Sequence, residues 1–144
     1  MKKQIVKELN AFLKGNYMAI ESYERFLEKI NEPEIRKIFQ KIKANHEEHA
    51  KLVQERIRNL GGEPVDSSGI IGDMVDWMDQ FKLETKELPH IIKDAQTGEF
   101  RGIKKSKEML ENDLDEESLS LVQNILEKDE EHVALLTELL KSLP

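Results

Sequence analysis

Apolar residues recur at steps of three and four over four long stretches of this chain. The first stretch runs from Ile5 to Ile30 and the second from Ile35 to Leu60, and two more lie in the second half of the sequence. This spacing places apolar side chains on one face of an α-helix, so the pattern predicts long amphipathic helices that pack through those faces. Seven glycines and four prolines leave little material for a β-sandwich. The expected fold class is therefore all-α.

Short turn signals arrange the four predicted helices as two antiparallel hairpins. Pro33 follows one turn, residues 113–115 form another, and Gly61-Gly62 ends the first hairpin. A shorter apolar pattern around Trp77 predicts an extra helix in the crossover, which covers the bundle or contacts a partner subunit. The predicted architecture is an antiparallel four-helix bundle with this short extra helix. We expect one domain over 1–144, made of hairpin 3–61, linker and short helix 62–86, and hairpin 87–142.

Composition excludes several classes of function. The chain has no cysteine, which excludes disulfides, thiolate nucleophiles and cysteine-ligated metal clusters. The net charge is −7, and cations dispersed among acidic residues argue against nucleic-acid binding. No stretch approaches the 18 apolar residues of a membrane span, and Lys2-Lys3 leads into a charged segment where a signal peptide would be apolar. We expect a cytoplasmic protein with neither a nucleic-acid nor a membrane partner.

The two halves of the chain are related by an internal repeat. An offset of 83 residues aligns residues 40–53, QKIKANHEEHAKLV, with residues 123–136, QNILEKDEEHVALL, with six identities in fourteen positions and no gap. The same offset pairs Gly15-Asn16 with Gly98-Glu99, so the repeat spans whole hairpins. We infer a pseudo-twofold axis at which equivalent positions of all four helices converge.

Six polar residues interrupt the apolar stripes and form three pairs under this repeat. The pairs are Asn16 with Glu99, His46 with Asp129, and His49 with His132. Their positions relative to each turn place all six in one layer, about midway along the helices. Polar groups buried there without partners would each cost about 1–3 kcal/mol. Imidazoles and carboxylates on facing helices avoid that cost by binding a metal ion, so the layer predicts a metal site.

This layout resembles the ferritin-like di-iron carboxylate bundles, in which a Glu on one helix and a Glu-x-x-His on the next recur after a crossover. The string IFQKIKANHEEHAKLV is similar to the second helix of rubrerythrins. The LGGEP linker and the short middle helix resemble those of small, uncharacterised bacterial ferritin-like proteins. The resemblance implies a ferritin-like fold and a metal site on the six positions of the layer, namely Asn16, His46, His49, Glu99, Asp129 and His132.

The sequence departs from the family pattern in its carboxylates. Asn16 and His46 occupy positions where the pattern has glutamate, and a further glutamate of rubrerythrins falls on Gly102. Glu99 and Asp129 offset only half of the charge of two divalent ions, so one ion is favoured over two. Three imidazoles with one or two carboxylates suit a transition metal. Iron is the expected metal, with manganese or zinc as alternatives.

Other polar residues near the layer are assigned no ligand role. His90 lies nine residues before Glu99, more than 13 Å along a helix axis at about 1.5 Å per residue. The glutamates of the two EEH strings face away from the apolar stripe and are expected to be solvated. Tyr17 and Tyr23 could hydrogen-bond a ligand of the site, but both are expected to pack in the core.

Three functions are compatible with these observations. The first is an oxidoreductase acting on dioxygen, peroxide or Fe(II), with electrons from a separate donor protein because the chain has no rubredoxin-like module. The second is non-catalytic binding or sequestration of metal on the same residues. The third is a metal-free bundle whose Trp77 helix binds a partner protein. A homodimer is the expected assembly, because ferritin-like bundles commonly pair through helix faces.

Overall fold

Four α-helices make up most of the residues that the computed structural model describes, which are 1–67 and 87–144. The helices are α1 (Lys2–Lys29), α2 (Pro33–Asn59), α3 (Leu88–Leu110) and α4 (Glu116–Ser142). α1 packs chiefly against α2 and α3 against α4, while contacts of α1 with α3 and of α2 with α4 join the two pairs. The predicted all-α fold class is confirmed. The short helix predicted around Trp77 lies outside the described residues.

The helix ends follow from the residues that the sequence places there. Pro33 is the first residue of α2 and Pro89 is the second residue of α3. Backbone N–H groups in the first turn of a helix have no partner within the helix, so the missing N–H of proline costs no hydrogen bond there. After α2, Gly61 adopts φ 82°, a left-handed conformation that glycine reaches without a Cβ clash. In the described part of the chain, no helix combines the length and the apolarity that crossing a membrane requires.

The start of the crossover is held against α1 by side-chain hydrogen bonds. The Asn10 side chain donates to the Glu63 carbonyl at 3.0 Å and accepts from the Val65 N–H at 2.9 Å. Tyr17 is half-buried at the edge of the core, and its hydroxyl donates to the Val65 carbonyl at 2.9 Å. Gly62 lies so close to α1 that a Cβ there would be 2.6 Å from a methyl of Val6. The chain therefore leaves α2 along the surface of α1.

The apolar interior consists of two clusters, one towards each end of the bundle, and each draws on all four helices. The first cluster comprises Tyr23, Phe26, Leu27, Ile30, Ile35, Phe39, Ile42, Ile91, Ile92, Ala95 and Leu136. The second comprises Ile5, Leu9, Phe12, Leu13, Ala50, Val53, Ile57, Met109, Val122 and Ile125. Between them lie the six predicted polar residues, each no more than 7% exposed. The sequence positions of the interruptions thus correspond to a buried polar layer between two apolar regions.

Candidate metal centre

Four of the six residues of the polar layer bring potential ligand atoms together. One nitrogen or oxygen atom from each residue lies within 4.8 Å of the others, and all four residues are buried; they are His46, Glu99, Asp129 and His132. α2 contributes the first, α3 the second and α4 the last two. The two residues on α4 are three positions apart, so they lie on the same face of the helix, one turn from each other.

Glu99 lies at the centre of the hydrogen bonds in this cluster. Its Oε2 accepts a hydrogen bond from the Tyr23 hydroxyl at 2.5 Å and lies 2.8 Å from His46 Nε2. Its Oε1 lies 3.1 Å from His132 Nδ1. Burial alone would raise the pKa of the Glu99 carboxyl, but the charge on His46 and the hydrogen bonds from His132 and His46 outweigh burial and lower the pKa to about 2. Glu99 is therefore a buried anion at neutral pH.

His132 has partners at both ring nitrogens. Its Nδ1 faces Glu99 and lies 3.6 Å from Asp129 Oδ1, and its Nε2 lies 2.9 Å from the side-chain oxygen of Asn45. An imidazole that donates from both nitrogens is an imidazolium. Burial would lower the pKa of His132, but the nearby carboxyl groups of Asp129 and Glu99 outweigh burial and raise the pKa to about 9. In the metal-free protein, His132 is therefore the cation that balances Glu99.

Three buried polar atoms of the layer have no hydrogen-bond partner among the residues that the structure describes: His46 Nδ1, His49 Nδ1 and Asp129 Oδ1. Leaving such an atom unpaired costs about 1–3 kcal/mol, so each calls for an explanation. Imidazole nitrogens and carboxylate oxygens are atoms that bind divalent transition metals. His46 Nδ1 and Asp129 Oδ1 are 3.9 Å apart, a separation that two ligand atoms at about 2.1 Å from one ion can span. The residues present therefore fit a metal ion.

Burial shifts the pKa values of Asp129 and His49 in the direction that favours the neutral form of each group. Burial raises the pKa of the Asp129 carboxyl above its ordinary value, against the opposing effect of the nearby His132 imidazole. Burial also lowers the pKa of His49 to about 4, with the charges of His46 and His132 acting in the same direction. His49 is thus a neutral imidazole at pH 7, which is the form that binds metal.

His49 and Asn16 lie in the layer but outside the group of four. The ring centroid of His49 is 5.9 Å from that of His46 and 6.5 Å from that of His132. The side-chain amide of Asn16 donates to the backbone carbonyl of Phe12 in its own helix at 3.1 Å. The structure therefore brings four predicted residues into one cluster and places the other two beside it.

Two further residues contact the cluster, and sequence reasoning missed one of them. Tyr23 is buried in the core as expected, and its hydroxyl also donates to Glu99, the alternative that the sequence allowed. Burial together with the Glu99 charge raises the pKa of Tyr23 well above the ordinary value. Asn45, which the sequence did not indicate, contacts His132 from α2.

A cavity of about 130 Å³ lies between α1 and α3 and reaches the polar layer. Its inner end is lined by Asn16, His46, Glu99 and Asp129. Small molecules thus have a route from the surface to the cluster.

Comparison with known proteins places the chain in a family and a fold. Residues 4–112 match the family described as a domain of unknown function, DUF2383. A search of curated proteins finds no match for the chain.

Three solved structures illustrate the fold. A Dps1 mutant from Mycobacterium smegmatis matches with a TM-score of 0.86 and 17% identity over 96% of both chains. A ferritin-like, diiron-carboxylate protein from Bacillus anthracis matches with a TM-score of 0.72 and 21% identity, also over 96% of both chains. A two-domain protein from Anabaena variabilis, with DJ-1/ThiJ/PfpI-like and ferritin-like domains, matches with a TM-score of 0.80 and 20% identity over 99% of this chain, which spans only 37% of that protein. The resemblance to ferritin-like bundles is thereby confirmed for the fold.

Proposed function

The chain belongs to the DUF2383 family of domains of unknown function, and we propose that it binds a divalent transition metal in the polar layer of its four-helix bundle. The observation that carries this proposal is the buried cluster of His46, Glu99, Asp129 and His132, in which His46 Nδ1 and Asp129 Oδ1 have no hydrogen-bond partner among the described residues. The name of the Bacillus anthracis neighbour, a diiron-carboxylate protein, supports a metal in this place. His49 and Asn16, in the same layer, are proposed as the remaining donors.

One ion fits the charges of the layer better than two. A single divalent ion is neutralised by the carboxylates of Glu99 and Asp129, whereas a second ion would leave two uncompensated positive charges between two apolar clusters. Nitrogen and oxygen donors suit iron, manganese and zinc. We propose iron as the physiological metal, because the two carboxylates favour a hard ion and the imidazoles exclude calcium and magnesium.

The cavity that reaches the layer favours an oxidoreductase over simple retention of metal. A bound iron ion would supply electron transfer to dioxygen or peroxide, and Fe(II) can itself be the substrate. Two residues of the chain govern protons at this site. The Tyr23 hydroxyl donates a hydrogen bond to Glu99. His132 must release the proton at Nδ1 before that nitrogen can bind a metal ion. The chain has no cysteine for an electron-transfer centre, so reducing equivalents would come from a separate protein.

Metal analysis of protein purified without a histidine tag tests the proposal. We expect about one equivalent of iron, manganese or zinc, and a rise in melting temperature when the metal is added to metal-free protein. His132→Ala should lose the metal, and the matched control His90→Ala, at an exposed position on α3, should keep it. Less than about a tenth of an equivalent, together with no thermal shift, would overturn metal binding.

Oxygen consumption separates the two functions that the metal site allows. Addition of Fe(II) to the metal-free protein should accelerate oxygen uptake in the wild type and in His90→Ala, but not in His132→Ala. Stoichiometric metal without any acceleration over free Fe(II) would leave sequestration as the function.

We also propose a homodimer. Leu52 on α2 and Leu135 on α4 are equivalent under the repeat, and each is 38% exposed, so they offer apolar surface to a second copy. Light scattering coupled to gel filtration should give twice the chain mass of 16.7 kDa. A monomeric mass, or a larger closed assembly, would contradict the dimer.

A further inference from the structure

The cavity between α1 and α3 is mostly apolar along its walls and polar only at its inner end. The rings of Phe12, Tyr23 and Phe26 line it, together with small residues of both helices. Its outer part is bordered by the exposed residues Arg101 and Lys105 of α3. The arrangement is that of a ligand pocket: apolar walls with a few polar groups at one end.

A glycine of α1 lines the cavity. Gly15 lies in the middle of α1, and a Cβ built there meets no atom of the described residues within 4 Å. A longer side chain at this position has room to enter the cavity, so Gly15 is a place at which the cavity can be filled.

A second glycine borders the cavity from the opposite helix. Gly102 on α3 faces the layer, where a Cβ would lie 3.4 Å from Asp129 Oδ2. A longer side chain at this position would enter the inner part of the cavity, and glycine leaves that space free.

The apolar walls of the cavity favour an uncharged ligand. A charged molecule would lose its hydration against the rings of Phe12, Tyr23 and Phe26. At the inner end, Glu99 already has His132 as its ion-pair partner. A neutral molecule avoids the cost of losing hydration.

The size of the cavity exceeds what a diatomic gas or peroxide needs. An apolar cavity of about 150 Å³ in another protein stays dry and binds one molecule of benzene. The volume here is about 130 Å³, so it suits a molecule of roughly six carbon atoms.

We propose that this cavity binds a small, uncharged organic molecule that is apolar over most of its surface and directs one polar group to the layer. The binding itself needs no metal. The role of the polar group rests on the proposed function, because that group would reach the metal centre.

A titration of the metal-free protein tests the binding. Amide NMR spectra are recorded with benzene, benzoate and benzylammonium, three rings of similar size and different charge. We expect saturable shifts at the amides that line the cavity, including those of Gly15, Ala19 and Gly98, with benzene bound at least tenfold more tightly than either ion. No saturable shift, or equal binding of all three probes, would overturn the proposal.

Variants at Gly15 locate the binding site. Gly15→Leu should fill the outer part of the cavity and weaken benzene binding at least tenfold, while Gly15→Ala should change it less than threefold. Ala11→Leu, which adds the same side chain at an exposed position of α1 outside the cavity, is the matched control and should bind as the wild type does. Undiminished binding in Gly15→Leu would contradict this location.

The cobalt-loaded protein tests the contact with the metal centre, and its cobalt content is measured first. Phenol should shift the visible absorption bands of cobalt in the wild type and in Ala11→Leu, but not in Gly15→Leu. A spectrum unchanged at saturating phenol would overturn the contact with the metal. If no cobalt binds, the proposed metal function fails, while the titration of the metal-free protein still decides the cavity proposal.

Discussion

The hairpin of α1 and α2 and the hairpin of α3 and α4 place side chains at equivalent positions of the polar layer, but these side chains differ in charge. The first hairpin contributes an amide and two imidazoles, and the second contributes two carboxylates and one imidazole. All of the negative charge in the layer therefore comes from the second hairpin. The comparison teaches that the repeat determines where a side chain lies, and the residue at that position determines what it does.

The two equivalent histidines show how far this difference goes. His132 faces Glu99 and Asp129, and its pKa is raised to about 9, whereas burial and two neighbouring imidazoles lower the pKa of His49 to about 4. The same residue at the same position of the repeat is thus a cation in one hairpin and neutral in the other. Four variants or pairs of variants test this asymmetry, and the largest effect is expected at the carboxylate.

Glu99→Gln should remove metal binding, with a loss of at least a hundredfold in affinity. It should also destabilise the metal-free protein by about 3 kcal/mol, because it leaves the charge of His132 buried without its partner. Asn16→Ala, the matched change in the first hairpin, should cost about 1 kcal/mol, since it removes one hydrogen bond to Phe12. Urea unfolding and metal titration measure both. Equal losses in the two variants would contradict the asymmetry.

The two histidines should give the metal-free protein opposite pH dependences. The folded pKa of His132 lies above the unfolded value of about 6.5, so its stabilisation is complete below pH 6.5 and is lost as the pH rises to about 9. The folded pKa of His49 lies below that value, so stability is lost as the pH falls from about 6.5 to about 4. Each loss should be on the order of 2–3 kcal/mol.

Urea unfolding at intervals between pH 4 and pH 9 checks this prediction. His132→Gln should flatten the alkaline side of the profile only, and His49→Gln should flatten the acid side only. If the free energy of unfolding of a variant changes with pH as it does in the wild type, the histidine replaced in that variant does not cause the pH dependence predicted for it.

Asn16→Glu should make the two hairpins more alike and raise the metal content. A third carboxylate at the position equivalent to Glu99 would offset more of the charge of a second divalent ion. We expect the metal content to rise from about one to about two equivalents, measured by plasma mass spectrometry on protein loaded with excess metal. A value that stays at one would show that charge is not what limits the number of ions.

Tyr23→Phe and Ser106→Ala form the last pair, because these positions are equivalent under the repeat. Tyr23 donates to the charged Glu99, and its loss should cost about 1.5–3 kcal/mol in the metal-free protein. The hydroxyl of Ser106 is buried without a partner, so its removal should be neutral or slightly stabilising. Thermal and urea unfolding distinguish the two, and a larger loss in Ser106→Ala would reverse the comparison.

The sequence predicted the helices and the polar layer well, because both depend on periodicity. Apolar spacing located α1 to α4, and each of the six interruptions of that spacing is a buried residue. The contacts between individual atoms depend on the directions of the side chains and on how the helices pack. The periodicity of the sequence contains no information on either. Asn16 was placed in the correct layer, but its amide bonds its own helix.

Tyr23, Asn45 and the cavity mark the limit of sequence reasoning in this chain. A tyrosine on an apolar stripe has the same pattern whether its hydroxyl bonds a carboxylate or not. Asn45 lies beside the stripe of α2 and meets His132 only once α2 and α4 are packed. The cavity arises from space between α1 and α3, and no single helix contains it.

The division of the interior into two apolar clusters has a dynamic consequence. Each cluster draws on all four helices, so each end of the bundle can open as a cooperative unit while the other end stays closed. Ligands from α2, α3 and α4 lie at the boundary between the two units. An ion bound there would couple the two openings, so that amide hydrogen exchange at both ends of the bundle slows together when metal is added.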